Sequence, residues 1–175
     1  ENNLFNFAPE GNIVAKVPSG TGIMILATSE VEIFNNIILN NKTTNTSIVS
    51  YFITEEILTD SLYYPYPNSI YLHQNIYERD KQFPSFSFQQ PIGFLLAYNF
   101  WRDVPDIIYD GILDKNKLGA NQKLLDEYKI CIKDNINASF ANIDAGNNFK
   151  NVSKNMFDYE CSHDRLLGVR YPFDN

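Results

Sequence analysis

The chain has 175 residues, the size of one domain or of part of a larger one. Hydrophobic residues make up 44%, enough for a core, which excludes a disordered chain. A net charge of -7, from 14 Lys+Arg against 21 Asp+Glu, excludes a nucleic-acid surface built on clustered cations.

Residues Glu1–Phe7 carry neither a basic stretch nor a long apolar one, so no export signal is legible there. With no Met at its start, the chain reads as a processed product or a fragment. The first apolar run, Gly22–Ala27, lies between Pro18-Ser19-Gly20 and Thr28-Ser29 and reads as a short strand. Val31, Ile33, Ile37 and Leu39 then alternate around an Asn35-Asn36 pair, the pattern of a strand that turns a corner. Ser47–Tyr51 is another short strand, and Thr54–Asn68 is a loop containing Tyr63-Tyr64-Pro65-Tyr66-Pro67. Ser69–Tyr77 repeats the strand-corner pattern, with Asn75-Ile76 in place of Asn36-Ile37. A long excursion over 78–129 follows, with helical or turn segments expected over Gln90–Tyr98 and Lys117–Tyr128. A third Asn-Ile pair, Asn135-Ile136, closes Ile132–Ile136, and the tail over 136–175 reads as a cap. No apolar run approaches the ~20 residues of a membrane-spanning helix.

The composition fits these short elements, with 22 Asn and 19 Ile against 8 Ala. Ile favours strands, Asn favours turns and tolerates left-handed backbone, and the best helix former is scarce. AT-rich codon usage would inflate Asn and Ile too, so their placement has to decide. Asn36, Asn75 and Asn135 recur at one offset, separated by 39 (75 − 36) and 60 (135 − 75) residues. Asn-Gly, the strongest hairpin signal, is absent. The pattern predicts an all-β right-handed parallel β-helix over 1–175, with long loop insertions and those three Asn stacked at inward corners. An ordinary sandwich with Asn in its turns is the alternative.

Several blocks then carry a resemblance. They are Asn12-Ile13-Val14, Val17–Gly22, Val31–Asn36, Ser47–Tyr51, Pro105–Gly111, Ile130–Asn135, Phe140–Asp144 and a final Cys161. In this collinear order the chain resembles the C-terminal portion of secreted bacterial parallel β-helix repeat proteins of uncharacterised function. The resemblance implies export to the periplasm, outer-membrane surface or exterior, and pairing with a second exported protein. It implies no reaction. In an exported chain the two cysteines, Cys131 and Cys161, suggest a disulfide, against two separate buried thiols.

Candidate chemistry is sparse. Asp103, Asp106 and Asp110 near Trp101 could form a glycan or calcium site, since paired carboxylates and aromatic rings serve sugar chemistry. Asp106-Ile107-Ile108-Tyr109-Asp110-Gly111 also reads as Asp residues capping a turn before a glycine, and that reading is the favoured one. His73 and His163 stand apart with no ligand spacing around them, so no metal site built on histidine is expected. The four sequons, at Asn41, Asn45, Asn137 and Asn151, read as chance in so Asn-rich a chain. Tyr63, Tyr64 and Tyr66 are candidate interface residues, because aromatic anchors bury much area at modest entropy cost. The expected function is a non-catalytic exported binding or scaffold module without a resident cofactor. A polysaccharide lyase, epimerase or hydrolase is the alternative.

Overall fold

The computed structural model of the protein describes residues 4–9, 11–54, 57–85 and 91–167. Nine short strands among them form three sheets in which every pairing is parallel. Helix is confined to α1 (Pro91–Phe100) and to short 3-10 turns. The protein is therefore mainly β.

The chain visits the sheets in a fixed order. β1 (Thr21–Leu26), β2 (Ser29–Phe34) and β3 (Ile37–Leu39) each open a different sheet. β4 (Thr44–Val49), β5 (Asn68–His73) and β6 (Ile76–Glu78) then pair with them in turn. On the third passage β7 (Ile107–Tyr109) pairs with β4, and β8 (Ile130–Lys133) pairs with β5. Ile136 bridges to Ile76, and β9 (Phe140–Asn142) begins a fourth passage beside β7. Parallel neighbours need a long connection between them, and here the strands of the other two sheets supply it.

Three sequence expectations shift in detail. The run over 78–129 is not one excursion, because β7 lies within it and divides it into two loops. The tail over 136–175 likewise begins with a strand, β9, before any cap; its last residues, 168–175, lie outside the description. The segment Lys117–Tyr128, expected as a helix or turn, is a turn closed by a Leu118–Leu124 antiparallel bridge and followed by the 3-10 turn Asp126–Tyr128. A three-residue strand is too short for a period to show. Neighbouring backbone selects it, not propensity.

Register builds the core. Val31, Ile70 and Ile130 stack in one column, and Ile33, Leu72 and Ile132 in the next. Ile70 and Leu72, in the middle strand, are fully buried. Truncating either to Ala would cost roughly 2–5 kcal/mol. Tyr77 and Tyr109 complete this interior. A second cluster lies on the other face of the first sheet, where Leu96 and Phe100 of α1 cover Ile108 and Ala141. Arg79 fastens the first loop by donating to the carbonyls of Lys42 (2.8 Å) and Val104 (3.1 Å).

At each corner from the second sheet to the third, one residue takes left-handed backbone: Asn35, Gln74 and Asp134. The next residue is Asn36, Asn75 or Asn135. Asn75 Oδ1 accepts from the Asn36 amide (3.0 Å) and Nδ2 (3.1 Å), and Asn135 Oδ1 accepts likewise from Asn75 (2.9 and 3.0 Å). Each Asn also donates to a strand carbonyl: Phe34, Ile33 and Leu72 respectively. The side chains of Asn75 and Asn135 thus each satisfy both an amide and a carbonyl of the turn one passage earlier.

Candidate functional site

The aspartates flanking β7 have separate fates. Asp103 is exposed and pairs with Lys81 at 3.3 Å, both side chains well solvated. Asp106 is buried, with Oδ1 accepting from Asn45 Nδ2 (2.7 Å) and Oδ2 from the Ser139 amide (3.1 Å) and hydroxyl (2.5 Å). Asp110 is buried at the other end of β7, accepting from the amides of Ser50 (2.6 Å) and Ile112 (3.1 Å). Burial pushes its carboxyl up to about 6, against the lowering effect of those amides. Trp101 caps α1 in left-handed backbone, 68% exposed, with its ring edge-on to Phe83. Asp106 and Asp110 thus hold turn backbone at opposite ends of one strand.

The loop between β4 and β5 is of another kind. Tyr51 and Tyr63 meet edge-on at 5.4 Å, while Phe52 and Tyr66 (5.3 Å) and Tyr64 and Tyr66 (5.6 Å) meet at a tilt. Tyr64 donates to Asp114 Oδ2 (3.0 Å), while Lys117 Nζ sits over the rings of Tyr64 (4.3 Å) and Tyr128 (4.0 Å). Burial, and then the neighbouring Asp114 carboxylate, push the Tyr64 phenol well up. The Tyr51 amide donates to the Pro65 carbonyl at 2.8 Å, closing the loop on itself. On this fastened base the apolar side chains of Ile57 (83% exposed) and Leu62 (93%) point to solvent, beside Phe52 and Tyr63. The Asp60 side chain holds the turn that presents Leu62 by accepting from its amide at 2.8 Å.

Sequence reasoning left the two histidines apart; the fold brings both to Tyr71. Its ring stacks on His73 at 4.1 Å and meets His163 edge-on at 6.3 Å. His73 Nε2 lies 2.9 Å from Glu32 Oε1, and His163 Nε2 lies 2.8 Å from the Lys129 carbonyl. Burial would raise the Glu32 carboxyl, but His73, the Leu166 amide and Arg165 outweigh it and lower it. The Cys131–Cys161 disulfide begins a strap, since the segment after Cys161 runs back across the outer face of the second sheet. Arg165 lies over Phe34 at 4.8 Å, and the Leu166 amide donates to Glu32 Oε2 at 3.1 Å. No spacing rule links positions 32, 73 and 163. Parallel register, which aligns Glu32 with Tyr71 and Tyr71 with Cys131, does so.

Among the described residues no three His, Cys, Asp or Glu side chains converge on a metal position, and no helix is long and apolar enough to cross a membrane. No family model, curated protein or solved structure matches the chain.

Proposed function

We propose that the chain is a segment of a right-handed parallel β-helix that works as a non-catalytic, exported binding or scaffold module. Its partner is a second exported protein, as the sequence resemblance implies. The cyclic order of three parallel sheets supports the architecture. The disulfide is compatible with an oxidising compartment.

The observation that carries the binding role is the loop between β4 and β5. Leu62 and Ile57 project into water from a segment fixed by Tyr64–Asp114 and by Lys117 over two rings. Exposed apolar side chains on a flexible tip would lose rotamer freedom on binding. Held on a fastened base, they meet a partner with much of that cost already met. The buried engagement of Asp106 and Asp110 removes the carboxylates on which a glycan-cleaving reading depended.

The test is native cross-linking of the protein in its source envelope, beside the variants Leu62→Asp and Ile57→Asp. A cross-linked protein retained by the parent chain and lost from both folded variants is the expected result. A partner captured equally by all three, or a chain that stays alone and cleaves a uronic-acid polymer, overturns the proposal.

A further inference from the structure

The Asn ladder is open at its last level. At each earlier level one side-chain carboxamide serves three groups of the turn before it. Asn75 Oδ1 accepts from the amide and Nδ2 of Asn36, while Asn75 Nδ2 donates to the Ile33 carbonyl at 2.9 Å. Asn135 does the same for the amide and Nδ2 of Asn75 and for the Leu72 carbonyl. Among the described residues no group does so for Asn135: its backbone N–H and its second Nδ2 hydrogen meet no acceptor. The third member of the set is the Ile132 carbonyl, aligned with those of Ile33 and Leu72. The Ile70 amide donates to the Lys129 carbonyl at 3.2 Å, so Ile70 and Leu72 face β8. Alternation in a parallel ladder then turns the carbonyls of Ile130 and Ile132 away from β5. Cys161 Sγ lies on that far side, 3.7 Å from the Ile130 carbonyl oxygen.

A half-open cavity of about 300 Å³ stands at this place, with Ile132 and Asn135 in its wall. Ala138, Met156 and Phe157 supply its apolar side. The 3-10 turn Phe157–Tyr159 lies against β8 and Met156 against the core, on the ground where a further coil would stack. The space that is left suits a small molecule. Lys133 lines it together with Asp134 and Glu160, one positive group against two negative, which disfavours an anion. The two Asn135 donors disfavour a cation. We infer that this cavity binds a small neutral molecule through a primary carboxamide, its oxygen accepting from the amide and Nδ2 of Asn135 and its NH2 donating to the Ile132 carbonyl. Water can bond to these groups one at a time. A carboxamide meets all three in one plane, as the side chains of Asn75 and Asn135 do one and two levels earlier. The site stands apart from the loop between β4 and β5 and from the partner proposed for it.

The probe is benzamide, titrated against the whole disulfide-bonded chain and followed by nuclear magnetic resonance. Binding should saturate, move the resonances of the Asn135 backbone and side-chain amides, and slow deuterium exchange of the Asn135 N–H roughly 5-fold or more. Acetophenone, in which a methyl group replaces NH2, should bind roughly 5- to 10-fold more weakly, and so should benzamidine, in which a donor replaces the oxygen. N-acetylasparagine N-methylamide offers the same carboxamide as a protein side chain would. It should bind more weakly than benzamide, because the turn Phe157–Tyr159 takes the space its backbone needs. Ala138→Leu, which adds bulk inside the cavity, should weaken benzamide by about 10-fold or more. Should that variant not fold, the Asn135 resonances of the parent chain decide alone. Absence of saturation, saturation that leaves Asn135 unmoved, acetophenone or benzamidine binding as well as benzamide, tighter binding of the capped asparagine, or undiminished binding by a folded Ala138→Leu variant would overturn the assignment.

Discussion

Two corners of the fold solve one problem with different residues. Where the second sheet turns into the third, the same amino acid recurs: Asn36, Asn75, Asn135. Where the chain enters the first sheet, the aligned positions are Gly22, Asn45, Asp106 and Ser139. There the Asn45 amide donates to Asp106, and Asp106 accepts from Ser139, so a hydrogen-bonded column forms from unlike side chains. At Gly22 a Cβ would fall 2.5 Å from Asn41 Nδ2 and 2.7 Å from the Asn45 carbonyl, so only glycine leaves room for the amide below. The buried turn demands that donors meet acceptors. It does not demand any one residue.

The largest effect should come from breaking the mixed column at its centre. Asp106→Ala removes three hydrogen bonds to a buried carboxylate, from Asn45 Nδ2 (which keeps the Glu78 carbonyl) and from the amide and hydroxyl of Ser139, and should destabilise by about 4 kcal/mol in chemical denaturation. An Asp106→Ala variant as stable as the parent would mean that the column is incidental. The repeated ladder should be somewhat more forgiving. Asn75→Ala, which strands the Asn36 amide and the Ile33 carbonyl, is expected to cost about 3 kcal/mol. Asn36 ends the ladder and is exposed, so Asn36→Ala should cost only about 1 kcal/mol. Equal losses at 36 and 75 would show that stacking position does not matter.

Asp110 adds a pH axis. Its folded-state pKa is raised to about 6, above the ordinary 3.8, so the folded chain holds this proton more tightly than the unfolded one. The resulting destabilisation is absent below about pH 4, grows through about pH 6, and reaches at most about 3 kcal/mol above it. Thermal melts from pH 4 to 7 should show this decline in the parent chain and not in Asp110→Asn. Parallel profiles for the two proteins would refute the buried, ionisable reading. Asp103 marks the small end of the scale. Its solvated pairing with Lys81 predicts that Asp103→Asn changes stability by less than about 0.5 kcal/mol.

Identity of residues made one corner legible in the sequence and its absence hid the other. Asn-Ile at 36, 75 and 135 repeats, and the alternating apolar positions around it coincide with β2, β3, β5 and β6. Local chemistry suffices there, because β-branched alternation and a turn-forming amide act within a few residues. β7 and β9, of three residues each, and the column through Asp106 take their roles from strands 61 and 33 residues away, so only the packed structure decides them. The same holds for the aspartates, which look alike at 103, 106 and 110 until burial separates a solvated ion pair from two turn anchors. The two cysteines could be paired by counting. That the strand of Cys131 lies beside Tyr71, so that the strap beyond Cys161 gathers Glu32, His73 and His163, follows from parallel register, which joins residues distant in the chain at successive levels of one sheet.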